Sequence, residues 1–163
     1  MKFYNEISLE SEQRNILFSS FAAISGVGLL SYAALPFLMG STMVSLDLSE
    51  TAAGILYSLE FIAAAISSIV VAPKIGKVRR RDLVFAGAII VILGNLTSAW
   101  WCSYEFLLVF RPLTGIGAGL ALACGNATIA NAKEPAKIAG MMNVLFAGMI
   151  ILLMLFLAFL NDH

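Results

Sequence analysis

Charge is what this chain has least of. Of its 163 residues, 12% are Asp, Glu, Lys or Arg, against 60% that are apolar. A soluble domain carries about 25% charged and about 45–50% apolar residues. Half the usual charge does not cover a globule of this size, which excludes a soluble monomer. Disorder is excluded as well, because it requires low hydrophobicity and high net charge, and here ten basic and ten acidic residues cancel. The same balance leaves no basic footprint for nucleic acid. Histidine occurs once, at His163, and cysteine twice. Metal-ligand clusters, nucleophile elbows and HExxH strings are absent from the sequence, so it points to no enzyme, no metal and no cofactor. Cys102 and Cys124 fall toward opposite ends of adjacent apolar runs, farther apart than the roughly 7 Å between Cα atoms that a disulfide tolerates.

What the chain has in abundance is unbroken apolar sequence, with a mean hydropathy of +0.92. A spanning helix needs about 20 mostly apolar residues. Five runs meet that length, at 16–39, 51–72, 83–102, 106–130 and 138–160. Only Glu60 and Arg111 interrupt them with charge. The runs are continuous rather than alternating, which favours helices over a membrane barrel. The expected fold is therefore all-α, a polytopic membrane bundle of five transmembrane helices. Residues 16–160 form a single bundle, flanked by a cytoplasmic segment 1–15 and an external tail 161–163. The first run is read as a retained helix, since 24 apolar positions exceed a signal h-region and Glu6, Glu10 and Glu12 precede it.

The remaining charges fix an expected orientation. Lys2, Arg14, Lys74, Lys77, Arg79, Arg80, Arg81, Lys133 and Lys137 all fall on one side of the five crossings. The other side has no Lys or Arg between its spans. The positive-inside rule puts the basic side, and the N-terminus, in the cytoplasm and the C-terminus outside; the expected location is a plasma (inner) membrane. Trp100, Trp101 and Tyr104 cluster at the outer end of the third run, where amphipathic rings settle.

Lipid is as apolar as Leu, so helices pair in it through close backbone contact and small residues. The fourth run carries Gly115, Gly117 and Gly119, the first and last spaced as GxxxG. Similar packing roles are expected of Gly26 in the first run and Gly140 and Gly148 in the fifth. The glycine string has no strand before it and no βαβ context, so a dinucleotide site is excluded. Asn95 and Asn126 are expected to bond between helices. Both open glycosylation sequons but sit at membrane depth.

Two charges lie inside the spans. Glu60 is about 13 Å from the start of its run and Arg111 about 7–8 Å from the start of its own, at 1.5 Å per residue. Both helices run in the same direction, so long side chains bridge the offset if the helices are neighbours. Ionisable groups at such depth face a bundle interior or a wet cavity. Withdrawal from water favours the neutral form of a carboxyl, which suits Glu60 as a proton carrier or cation contact. Arg111 then balances its charge or meets an anionic substrate. A purely structural ion pair is the competing reading. Ser25 and Tyr32, with Ser31, are candidates to line the same path.

Three features resemble the N-terminal half of a major facilitator superfamily transporter. The segment Leu46 to Gly54 looks like that family's outer loop and second-helix start. The loop Ala72 to Arg81 falls where the family has G-x-x-x-D-R-x-G-R-R, matching at Lys77, Arg80 and Arg81, with Gly76 at the acidic position. Arg111, Gly115 and Gly117 match R-x-x-x-G-x-G, which in proton-coupled members is linked to proton transfer. The resemblance implies a cytoplasmic gating loop at Lys77, Arg80 and Arg81, and secondary transport of a small solute, with protons as a candidate coupling ion. The glycine-proline motif of antiporters is missing from 138–160. A half of this fold has six spans and this sequence has five. The resemblance therefore implies a second transporter half or a homo-oligomer as partner, within the lipid bilayer. The alternative is a non-transporting accessory protein or inactive transporter fragment. A four-helix multidrug exporter is disfavoured, because it carries an acidic residue in its first span.

Overall fold

The computed structural model describes residues 2–100 and 103–161, with side chains over 11–100 and 103–159. Trp101, Cys102, Asp162 and His163, and the side chains of Lys2, Glu6 and Glu10, lie outside the described residues, so the expectations resting on them do too. All regular elements among the described residues are helical. They are α1 (Lys2–Phe21), a π-helical stretch (Ala22–Gly28), α2 (Leu30–Ala33), α3 (Leu35–Leu46), α4 (Glu50–Val71), a 3₁₀ turn (Ala72–Lys74), α5 (Arg80–Trp100), α6 (Tyr104–Ala130) and α7 (Pro135–Asn161). Four stretches are long and apolar enough to cross a bilayer: Glu50–Lys74, Arg80–Trp100, Tyr104–Ala130 and Pro135–Phe159. They correspond to the second to fifth apolar runs.

The first run departs from the expected single helix. It is a helical column in pieces. The Leu29 N–H donates to the Ile24 carbonyl, five residues back, at 2.7 Å. This widens the helix where Gly26 and Gly28 reduce side-chain bulk. A second break comes at Ala34, two residues before Pro36 at the start of α3. Proline lacks an N–H, so the regular bond from position 36 back to the Tyr32 carbonyl is missing there. The ladder continues across both breaks, through Ala33 N–H to Leu29 O at 2.9 Å and Leu38 N–H to Ala34 O at 2.9 Å. The column runs on to Leu46, where Asp47 adopts a left-handed φ of 51° and turns the chain.

The helices α4 and α6 start on serine caps. Ser49 Oγ accepts from the Ala52 N–H, and Ser103 Oγ from the Phe106 N–H. Each satisfies a donor that a helix start leaves orphaned. Glu50 and Glu105 follow in the first turns, where a negative charge complements the helix dipole.

The centre of the bundle is α6. It runs parallel to α4, with Gly115 at the level of Glu60 and Gly119 at Ala64. A Cβ on either glycine would overlap the carbonyl of its partner. Ser67 and Ser68 strengthen this seam by donating to the Ile116 and Gly119 carbonyls, both at 2.9 Å. On another face α6 runs antiparallel to α5, where Gly117 meets Gly87 and Ile90, and Thr114 fills the space beside Gly94. A third face receives the first column: Gly125 meets Ile24, and Gly28 meets Leu122.

Several packing expectations are corrected here. Gly26, Gly140 and Gly148 have nothing within 4 Å of where a Cβ would stand. Gly28, two residues on from Gly26, takes the close contact instead. Asn95 donates within its own helix, to Val91 O at 3.0 Å, and Asn126 is exposed. A polar group in an apolar helix finds its own i−4 carbonyl when no neighbour offers a better partner. The last helix, α7, is anchored near its start by Ile138 and Met142, which pack with Leu17 and Ile24. Beyond Met142 it has no buried residue among those described.

Candidate functional site

Glu60 and Arg111 meet between α4 and α6. Arg111 Nη1 lies 3.3 Å from Glu60 Oε2, with the two residues 6% and 1% exposed. The contact depends on the glycine seam one turn away. Because Gly115 lets the α6 backbone close on the Glu60 carbonyl, the two helices approach closely enough for a neighbouring arginine to fold onto the carboxylate. Tyr57, one turn before Glu60, places its ring under the guanidinium, 4.8 Å from Arg111 Cζ. Tyr57 is itself held by its hydroxyl, 3.0 Å from Thr42 Oγ1 on α3. A cation over an aromatic face gains about 0.5–2 kcal/mol, most when desolvated.

The site is polar beyond what it satisfies. Among the described residues three buried polar side-chain atoms lack a hydrogen-bond partner: Glu60 Oε1, the Tyr32 hydroxyl and Ser25 Oγ. Unpartnered polar atoms in a low-dielectric interior are costly. Tyr32 is close to Glu60 in space, its ring lying against Phe61 with centroids 4.6 Å apart. Ser25 is fully buried in the π-helical stretch packed on α6.

On its other side Arg111 borders a cleft of about 450 Å³ between the first column, α5 and the upper part of α6. The polar walls of this cleft are Ser31, Ser41, Thr42, Ser45, Asn95 and Ser98. Arg111 therefore stands between a carboxylate and an open polar space.

Of the residues singled out from sequence, Glu60, Arg111 and Tyr32 come together, and Ser25 sits apart in the first column. Gly115, Gly117 and Gly119 form the helix seams beside them. Lys77, Arg80 and Arg81 lie at the opposite, basic end of α4 and α5, and none makes an ion pair among the described residues. Arg81 instead covers the Phe85 ring, 5.3 Å away. Tyr57 and Thr42 were not singled out. A signal for Tyr57 exists in its i−3 spacing from Glu60, which puts both on one helix face. Thr42 offers none, because its role depends on how α3 sits against α4.

Apolar helices packed on glycine seams around one buried ion pair define a polytopic membrane bundle. The family model of the Major Facilitator Superfamily matches residues 16–161, and the chain belongs to that superfamily. No curated protein and no solved structure matches the chain. Members of the superfamily are transporters rather than enzymes, so this is a transporter-type membrane protein.

Proposed function

We propose that the chain carries a small solute across the plasma membrane as a secondary transporter, coupled to protons through Glu60 and working against a second bundle. The observation that carries this reading is the buried Glu60–Arg111 pair with Glu60 Oε1 left unpartnered. A structural pair saturates both oxygens, since an unmade hydrogen bond at a buried carboxylate is expensive. A carboxylate with an unpartnered oxygen, near a tyrosine whose hydroxyl is also unpartnered, suits uptake and release of a proton. Superfamily transport uses two bundles rocking about a midplane site. The second bundle here is a further transporter half or a second copy of this chain. The nine-to-none division of basic residues between the two sides supports a cytoplasmic N-terminus and an external C-terminus.

The test is reconstitution into vesicles enclosing a pH-sensitive dye, alone and with co-expressed membrane partners, challenged with a panel of small solutes. Solute-dependent proton movement that Glu60→Gln abolishes is the expected result. Solute flux that Glu60→Gln leaves unchanged overturns the coupling role. Absence of flux with every partner, together with co-purification of one intact transporter, favours the accessory reading. The bare face of α7, exposed at Ile151, Leu152 and Leu155, is the feature that favours that reading.

A further inference from the structure

The guanidinium of Arg111 has five N–H donors in a planar fork. Among the described residues it makes one hydrogen bond, through Nη1 to Glu60 Oε2. Arg111 is 94% withdrawn from solvent by its 6% exposure, yet it forms part of the cleft wall. Its unused donors have the cleft as their outlet. A buried arginine with free donors is matched by an oxyanion that accepts two parallel hydrogen bonds.

The walls add a second preference. Thr42 Oγ1 donates to Leu38 O at 2.7 Å and Ser98 Oγ to Gly94 O at 2.7 Å. Asn95 spends one of its two amide N–H groups on Val91 O. Thr42 and Ser98 have used their hydroxyl protons, and with the Asn95 amide oxygen they keep lone pairs with which to accept. Hydroxyl groups on a ligand are what such a wall accepts. The volume of about 450 Å³ holds a six-carbon acid with some water.

Charge then dictates coupling. Arg111 on α6 and Glu60 on α4 together are neutral. The other titratable groups facing the pair are Tyr57 on α4 and Tyr32 on α2. No charged side chain of α3 or α5 lines the cleft. A bound monoanion would leave one net negative charge in a poorly solvated place. A proton added from water to Glu60 restores neutrality and frees Nη1 to complete the fork.

From these observations we infer that the Arg111 cleft binds a small hydroxylated monocarboxylate, taking up a proton at Glu60 as it does so. This deepens the transport reading by naming a substrate class, and its test is a binding measurement that needs no flux. The full chain in nanodiscs is titrated calorimetrically with D-gluconate, D-sorbitol, hexanoate and inorganic phosphate, while an indicator dye in weak buffer follows protons. D-Sorbitol lacks the carboxylate and hexanoate lacks the hydroxyls.

D-Gluconate is expected to bind at least about tenfold more tightly than the other three, with about one proton taken up per anion. Glu60→Gln keeps the binding and loses the proton uptake. Arg111→Lys, which keeps the charge but not the fork, weakens binding at least about tenfold. Since Arg111→Lys also disturbs the ion pair, Ser41→Phe provides a variant that fills the cleft without touching Glu60 or Arg111, and it is expected to block binding. D-Sorbitol or phosphate binding as tightly as D-gluconate overturns the inference. So does proton uptake that survives Glu60→Gln, or D-gluconate binding unchanged in Ser41→Phe. Binding without flux upholds the cleft and counts against transport, whereas solute flux without D-gluconate binding sinks the cleft and leaves transport standing.

Discussion

The helices α6 and α7 are equal in length, 27 residues each, and both are apolar and glycine-bearing. Their fates differ. Ten residues of α6 are buried and each of its glycines is pressed against a neighbour. In α7 only Ile138 and Met142 are buried among the described side chains, and both of its glycines face open space. Small residues therefore permit close packing without causing it. What α6 has and α7 lacks is a set of facing groups at matching height. These are backbone carbonyls at Glu60 and Ala64, Gly87 opposite Gly117, and serine hydroxyls that bond across the seam. Because lipid competes with Leu on equal terms, a helix without such matches stays exposed along its length.

The contrast breaks most sharply at Arg111, which has no counterpart in α7. Arg111→Ala strands Glu60 as a buried charge without its partner, and removing one member of such a pair costs about 3–5 kcal/mol. Unfolding in mixed detergent micelles, followed by circular dichroism, measures this. The paired change Glu60→Gln with Arg111→Gln recovers much of the loss, because neither site then holds a charge. A double variant no more stable than Arg111→Ala would show that the ion pair is not what holds these helices in register.

The next effect lies in the glycine seam. A Cβ at Gly119 meets the Ala64 carbonyl and the Ser67 side chain. Backbone does not swing aside as a side-chain tip does, so Gly119→Ala forces α4 and α6 apart. Overpacking of this kind costs about 1–3 kcal/mol. Ser68→Ala removes one hydrogen bond across the same seam and is expected to cost about 0.6 kcal/mol, the average for such bonds between membrane helices. The order Gly119→Ala above Ser68→Ala tests whether contact or hydrogen bonding dominates the seam, and the reverse order would assign it to the serines.

Much of this architecture was legible in the residues. Long uninterrupted apolar runs leave little choice but helices across a bilayer, and the axial positions of Glu60 and Arg111 follow from 1.5 Å per residue. Their meeting was conditional on α4 and α6 being neighbours, and the GxxxG spacing at Gly115 and Gly119 was the only hint of that. The breaks in the first column have their sequence signals in Gly28 and Pro36, although Gly28 was not singled out. Their joint effect, a π-helical stretch followed by a restart, depends on where α6 presses. The cleft could not be read from sequence, because its walls come from three elements whose rotations are set by tertiary contact. Rotation also decided which glycines pack. Gly26 and Gly28 are alike on paper, and only the latter faces Leu122.

The smallest expected effect is the one that isolates the lesson. Gly148 lies in the middle of α7, and beyond its own helix backbone nothing stands within 4 Å of where a Cβ would be. Glycine in a helix interior is about 0.5–1 kcal/mol less favourable than alanine, because the unfolded chain has more freedom to lose. With no clash to offset that term, Gly148→Ala should stabilise the isolated chain by a few tenths of a kcal/mol up to that limit. The sign is opposite to that of Gly119→Ala, although the chemical change is the same. The same denaturation assay reads both. If Gly148→Ala instead destabilises the chain in micelles, α7 is pressed against something there, and the most economical candidate is a second copy of the bundle. Repeating the measurement across a dilution series then separates the cases. An intramolecular cost is independent of protein concentration, whereas a cost at an interface between copies fades as the chains dissociate.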